Sequence, residues 1–373
     1  MGSALFSPLQ IGPVEVPNRI AISPMCMYSA EDGSATDFHL QHVLRFAMSG
    51  AGLAVLEATA VERRGRISHG CLGLYSDHNE QALARVVAAA KKYALPGFKL
   101  GIQLSHAGRK GSTPLSWERA GAVLTPANGA WETVAPSPIP FGEKDWPIPH
   151  ELSHDEILKL IDAFADATAR AARIGFDVIE LHGAHGYLVH EFHSPLSNKR
   201  TDHWGGDAER RLNFPLAVAE AMRAVAPSHV ALGARITGTD FIDNALGVED
   251  AVRLSQQLKQ RGFHYVCISS GNIVAGGRPA AGPGFNVERA ARVKKEAGLV
   301  TRTVGYIAGP HQAEAIIASG AVDQVALARA FLDDPNWGLH AAEALGVKVP
   351  TPNQYIRVAQ GTWPAAKDSR AFI

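Results

Sequence analysis

The stretch from Asp155 to Tyr187 reads DEILKLIDAFADATARAARIGFDVIELHGAHGY and holds one helix-then-strand unit followed by a cluster of reactive side chains. From Asp155 to Ile174, the residues Ile157, Leu160, Ile161, Phe164 and Ala167 keep helical spacing, which predicts an amphipathic helix. Phe176 to Leu181 is an apolar run of strand length, and His182, His185 and Tyr187 come directly after it. Two imidazoles and a phenol at the end of a buried strand mark a candidate site.

The same alternation runs through the chain. Short runs rich in Val, Ile and Leu fall at Arg19 to Met25, Leu53 to Val61, Leu100 to His106, Asp177 to His182, Ala231 to Thr237, Tyr265 to Ser270, Thr303 to Ile307 and Val325 to Ala328. Several are continuously apolar, as expected when helices cover one face of a parallel sheet and side chains fill the other. Eight such βα units predict an α/β fold, a single (β/α)8 TIM barrel spanning 1–373, with an N-terminal hairpin before the first barrel strand and a C-terminal tail at 350–373. A doubly wound open sheet competes, but its dinucleotide fingerprint is missing. The nearest candidate, Gly50-Ala-Gly52, has Val55 in place of the third glycine and precedes a strand instead of following one. Residues 111–150 break the rhythm with seven prolines and with Trp117, Trp131 and Trp146, which predicts an ordered capping loop after strand three, over the C-terminal mouth of the barrel.

Composition narrows the partners. Lys plus Arg and Asp plus Glu both number 36, so no net field draws nucleic acid or an anionic membrane, and a small-molecule substrate fits better. Cys26, Cys71 and Cys267 are odd in number and widely spaced, which suggests neither a disulfide framework nor a metal cluster. No run reaches the roughly 18 apolar residues of a spanning helix, and Phe6 spoils a myristoylation signal. The expectation is a soluble, unanchored, cytoplasmic protein.

Polar residues collect at the predicted strand ends. Ser23-Pro-Met-Cys-Met-Tyr28 closes strand one, Gln103 and His106 lie on strand three, His182 and His185 follow strand four, and Arg235 sits on strand five. These ends share one rim. A buried arginine needs an anionic partner, and the loops after strands seven and eight commonly bind phosphate in such barrels. Arg235 and Arg329 therefore suggest a phosphorylated cofactor. A metal-dependent barrel hydrolase using His182 and His185 is an alternative, although no nearby carboxylate or thiolate completes a zinc set.

Taken together, Ser23-Pro-Met-Cys-Met-Tyr28, Gln103-Leu-Ser-His-Ala-Gly-Arg-Lys110, His182-x-x-His-Gly-Tyr187, SPLSNKRTDHWGG and Arg329 in ALARAFLDDPNW resemble the old yellow enzyme family of FMN-dependent ene reductases. The cysteine after Pro-Met and the early tyrosine are similar to its bacterial branch of xenobiotic reductases and thermophilic-like members, and the resemblance runs from about Leu5 to about Arg357. It implies FMN across the barrel mouth, with the backbone of Ser23, Pro24, Met25 and Cys26 and that of Ala58 against the ring, and the Gln103 amide at the pyrimidine edge. Arg235 would face N1 and the C2 carbonyl, while Gly305, Ala328 and Arg329 hold the phosphate. His182 and His185 would bind a carbonyl or nitro oxygen of the substrate, and Tyr187 would protonate its α-carbon. Cys26 would tune the flavin, Tyr28 would touch substrate, and Arg357 would reach a neighbouring subunit's site, which implies a homodimer or dimer-based tetramer. NADPH or NADH would be the reductant. Ala328 departs from the glycine usual before the phosphate arginine. Another FMN barrel reductase, such as a dienoyl-CoA reductase, shares the motifs but needs clustered cysteines and a further domain.

Overall fold

The computed structural model describes residues 2–118, 121–143, 145–276 and 282–366, so parts of the expected cap (119, 120 and 144) and tail (367–373) lie outside the described residues. Twelve strands are present among them. β1 (Leu9–Ile11) and β2 (Val14–Val16) form an antiparallel hairpin. β3 (Ile20–Ile22), β4 (Leu53–Ala60), β5 (Lys99–Ser105), β8 (Val178–Gly183), β9 (Ala231–Thr237), β10 (Tyr265–Ser269), β11 (Val300–Val304) and β12 (Gln324–Leu327) close in that order into a parallel barrel. β6 (Val134–Ala135) and β7 (His150–Glu151) pair within the cap.

Helices fill the crossovers: α1 (Asp37–Ala47), α2 (Asp77–Tyr93), α3 (His154–Ile174), α4 (Leu188–His193), α5 (Asn213–Val225), α6 (Val248–Gln260), α7 (Val287–Ala297), α8 (Pro310–Ala318), α9 (Arg329–Asp333) and α10 (Trp337–Ala344). The α3 stretch shows why they form. Ser153 caps its start, accepting from the Glu156 amide at 3.3 Å, while the Glu156 carboxylate accepts from the Ser153 amide at 2.9 Å. Its Ile157, Leu160, Phe164 and Ala167 are buried. Each large apolar side chain so buried contributes roughly 1.5–3 kcal/mol.

Alternate residues of each barrel strand face opposite ways, which separates two cores. One packs helices against strands and includes Ile22, Ile102, Ile179, Leu181 and Phe164. The other fills the barrel, where Ala21, Leu53, Val55, Val178, Ala231 and Ala326 meet Leu9, Ile11, Val14 and Val16 of the hairpin. The hairpin thus plugs the N-terminal end, and only the C-terminal end remains for a site.

All eight expected strands are found, with shifted edges. The seventh is Val300–Val304 rather than Thr303 to Ile307, because Val300 and Thr301 pair with Tyr265 and Val266, and the chain leaves the sheet at Gly305. Ile307 instead packs on the helix-side core from the following loop. The first strand stops at Ile22, although the Ser23 amide still donates to the Leu327 carbonyl at 2.8 Å; Pro24, with no N–H, cannot extend the ladder. No helix among the described residues is long and apolar enough to cross a membrane.

Candidate active site

Ser23 to Tyr28 leaves β3 across the mouth and is tied from behind. β4 carries an irregularity between Leu56 and Ala58, and the intervening Glu57 accepts from the Met27 amide at 3.2 Å and faces His39 Nε2 at 3.4 Å. His39 Nδ1 accepts from the Thr36 amide at 3.0 Å, so its Nε2 carries the proton toward Glu57. Held this way, Cys26 and Tyr28 pack with Ile67, Cys71, Ala107 and Tyr187. Burial, then the neighbouring Cys71 and Glu57, pushes the Cys26 thiol far up, so it is neutral and no ready nucleophile.

The turn after β8 carries the ring cluster. His182 lies edge-on to His185, with ring centroids 5.1 Å apart, and edge-on to Tyr187 at 5.0 Å. His182 Nδ1 accepts from the Ala184 amide at 3.3 Å, which leaves its Nε2 as the N–H donor. His185 sits in the left-handed region at φ +61°, its carbonyl accepts from Lys110 Nζ at 2.6 Å, and its Nε2 lies 2.6 Å from Ser269 Oγ. Gly186 follows at φ +74°, where a Cβ would collide with the Asn272 carbonyl. The Gly186 amide donates to His190 Nδ1 at 2.9 Å, and His190 Nε2 faces Asp240 at 3.3 Å, so a buried His–Asp pair fixes the turn. Burial, reinforced by the charge of Arg235, holds both His182 and His185 well below the ordinary histidine value. The same burial raises the Tyr187 phenol well above 10, with Cys26 and Tyr28 adding to it. At neutral pH the cluster is two neutral imidazoles and a protonated phenol.

Arg235 enters this mouth from β9 with little to balance it. It is buried, donates through one terminal nitrogen to Ser269 Oγ at 3.3 Å, and has no ion pair among the described residues. Its Nε, like Ser23 Oγ, is sealed without a partner. A buried guanidinium left so costs several kcal/mol unless an anion meets it. Beside it opens a cavity of about 900 Å³ lined by His185, Arg235, Ser269, Gly305, Ala328 and Arg329, among others. Arg329 stacks at 5.3 Å over the exposed Tyr306 ring at the far side. A group with an electron-rich planar end and an anionic end fits this donor set.

The structure brings Ser23, Cys26, Tyr28, Ala58, Gln103, His182, His185, Tyr187 and Arg235 to the C-terminal ends of β3, β4, β5, β8 and β9, and Gly305, Ala328 and Arg329 to those of β11 and β12. Pro24 and Met25 are partly buried in the loop from β3. Arg357 lies elsewhere, in an exposed turn at Asn353–Val358 whose Tyr355 and Val358 line a separate cavity with Arg45, Met48 and Trp363. The cap reaches the mouth through Trp117, edge-on to Tyr28 at 6.1 Å, and through Phe141, over which Lys110 Nζ sits at 4.4 Å. Arg109 rivets it there, donating to the Ile139 and Pro140 carbonyls of the cap and to Ile273 beyond β10. Sequence reasoning gave no role to Ser269, Lys110, Arg109 or the Glu57–His39 pair. A buried charge without a partner in its own segment was the signal available for Arg109 and Glu57.

A profile of the NADH:flavin oxidoreductase / NADH oxidase family matches residues 4–347. The chain belongs to this family. It is 40% identical over 359 residues to an NADPH dehydrogenase of Geobacillus thermodenitrificans, covering 96% of this chain and 99% of that one. To an NADPH dehydrogenase of Listeria innocua it is 39% identical over 357 residues, covering 95% and 99%. Among solved structures, morphinone reductase superposes with a TM-score of 0.75 at 25% identity, covering 95% and 93% of the two chains. A 2-naphthoyl-CoA reductase superposes at 0.80 with 22% identity, covering 94% of this chain and 53% of that one, which speaks for the barrel alone. The protein is therefore an NAD(P)H-dependent flavin oxidoreductase of old yellow enzyme type. Family membership displaces the metal-hydrolase alternative.

Proposed function

We propose that the chain is an FMN-dependent ene reductase, which reduces the C=C bond of α,β-unsaturated carbonyl or nitro compounds with NADPH or NADH as reductant. The observation that carries this reading is the unbalanced Arg235 guanidinium beside two neutral imidazoles and a protonated phenol. Ser23, Pro24, Met25, Cys26, Ala58 and Gln103 would hold the ring of FMN, and Gly305, Ala328 and Arg329 its phosphate. Bound there, FMN would supply the hydride that the substrate β-carbon takes up. The relatives named NADPH dehydrogenase favour NADPH as the donor.

The chain's own residues then divide the work. Arg235 would offset negative charge on the ring, one of the ways a protein tunes a flavin. His182 Nε2 donates to the substrate oxygen, and His185 joins it on exchanging Ser269 for that oxygen, so that electron density is drawn from the β-carbon as charge develops. Tyr187, protonated at neutral pH, gives its proton to the α-carbon. Tyr28 and Trp117 form the wall facing the substrate, and Cys26 stands by as a neutral thiol. Arg357 would act in the site of a neighbouring copy, in a cytoplasmic homodimer or dimer-based tetramer; a fully active monomer by size measurement removes that role.

Tyr187→Phe tests the reading. It should slow reoxidation by an enone about 10²- to 10⁴-fold and leave reduction by NADPH nearly intact. Equal loss in both half-reactions takes the tyrosine out of its role.

A further inference from the structure

One layer below the mouth, the barrel interior holds a polar group that the proposed chemistry leaves unused. Glu180 of β8 accepts from Gln103 Nε2 at 2.8 Å, from the Tyr265 hydroxyl at 2.8 Å and from an Arg302 terminal nitrogen at 3.2 Å. Arg302 also donates through Nε to Gln324 Oε1 at 2.8 Å and lies 4.4 Å over the Tyr265 ring. Tyr265 has room to lie flat because β9 carries Gly233 there, where any Cβ would collide with the ring. All five side chains are buried. Such a pair is costly to bury and gives little stability over an apolar core.

Its geometry fixes something above it. A carboxylate can only accept, so the Gln103 amide must turn its nitrogen down to Glu180, and its carbonyl oxygen is the atom left for the mouth. Gln103 thereby presents an acceptor of fixed direction. The charges also matter together, since Glu180 and Arg302 pair with each other, whereas Arg235 at the mouth has no ion pair among the described residues.

We propose that Glu180 and Arg302 are positioning residues for the flavin: Glu180 fixes the Gln103 amide with its oxygen toward the ring's pyrimidine edge, and the pair's balanced charge keeps the field of Arg235 as the one the reduced ring meets. This rests on the flavin reading above. Removing one charge exposes the other beneath the ring, and the two removals act with opposite sign.

The test compares E180Q, R302Q and the double variant E180Q/R302Q with wild-type protein. Three readouts are taken: the dissociation constant for FMN binding to the apoprotein, the midpoint potential of bound FMN by dye equilibration, and thermal stability. E180Q leaves a positive charge and should raise the potential, R302Q leaves a negative charge and should lower it, and the double variant should return to the wild-type potential. In the double variant the amide is no longer forced one way, and FMN should bind about tenfold more weakly, the loss of one oriented hydrogen bond. If a single variant fails to fold, the double variant decides, because it buries no unpaired charge and both its glutamines can still donate and accept hydrogen bonds. A double variant with wild-type FMN affinity, or with a shifted potential, overturns the proposal, as do single variants that shift the potential in the same direction. Wild-type protein that binds no FMN overturns the flavin reading instead.

Discussion

Along β8 the positions facing into the barrel run Val178, Glu180, His182, and along β9 they run Ala231, Gly233, Arg235. The first of each meets the hairpin plug among Leu53, Val55 and Ile11, where apolar atoms are in mutual contact. The last of each stands at the mouth, where Arg235 Nε and Ser23 Oγ are sealed without partners and His185 Nε2 is met by a neighbouring serine hydroxyl. The same backbone therefore makes a self-sufficient end and an incomplete one. A buried polar atom without a partner costs about 1–3 kcal/mol, so the lower end maintains the fold, and the upper end gives up stability for a ligand.

Replacing His182 and His185 together with alanine should break the upper end most severely. Two hydrogen bonds to an anion would be lost, so a phenolic ligand should bind about 10²- to 10⁴-fold more weakly, with its charge-transfer band gone and the melting temperature nearly unchanged. Survival of that band would move the anion site elsewhere. At the lower end, Leu53→Ala should cost about 2–5 kcal/mol in urea unfolding while leaving the turnover of folded protein intact. A comparable loss of activity per folded molecule would show that the two ends are not separable.

Acid separates them by another route. Burial holds His42 down to about 4 and His193 to about 3, and it lowers His182 and His185 as well. The unfolded chain protonates these near pH 6.5, so their contribution is present above that value and is lost as pH falls toward 4. Urea unfolding at pH 7 and pH 5 should show that decline, and equal stability at both contradicts the burial argument. Glu191 works in the opposite direction. Burial lifts it to about 8 against the opposing charge of Arg109, whose backbone amide it accepts at 3.0 Å. Folded protein keeps that proton where the unfolded chain has lost it, so the contribution is whole below about pH 4.5 and is lost as pH rises to about 8. Glu191→Gln should therefore gain on wild type between pH 5 and pH 8 by a few kcal/mol, because a tenfold change in proton affinity on folding is worth about 1.4 kcal/mol. A constant gap across that range would place the titration elsewhere.

The barrel was legible because strand runs and helix spacing repeat eight times, and the ring cluster because its residues are nearly consecutive. Arg235 stood out as a charge in a buried run, and the same reasoning applied to Glu180 in DVIELH and Arg302 in VTRTV would have found the layer beneath it. What sequence could not show was pairing across strands. Glu180 and Arg302 are 122 positions apart and meet only when the barrel closes. His185 and Ser269 are joined in the same way across 84 positions. Edges of short strands were also hidden, since Val300 and Ile307 are equally apolar and only register tells strand from loop.

The most direct test of the account is the visible absorption spectrum of the purified protein, taken before and after anaerobic NADPH and again after 2-cyclohexenone. Bands of oxidised flavin that NADPH bleaches and the enone restores are the predicted result. A protein that stays colourless after incubation with FMN would contradict the claim that the unfilled end of the barrel is a flavin site.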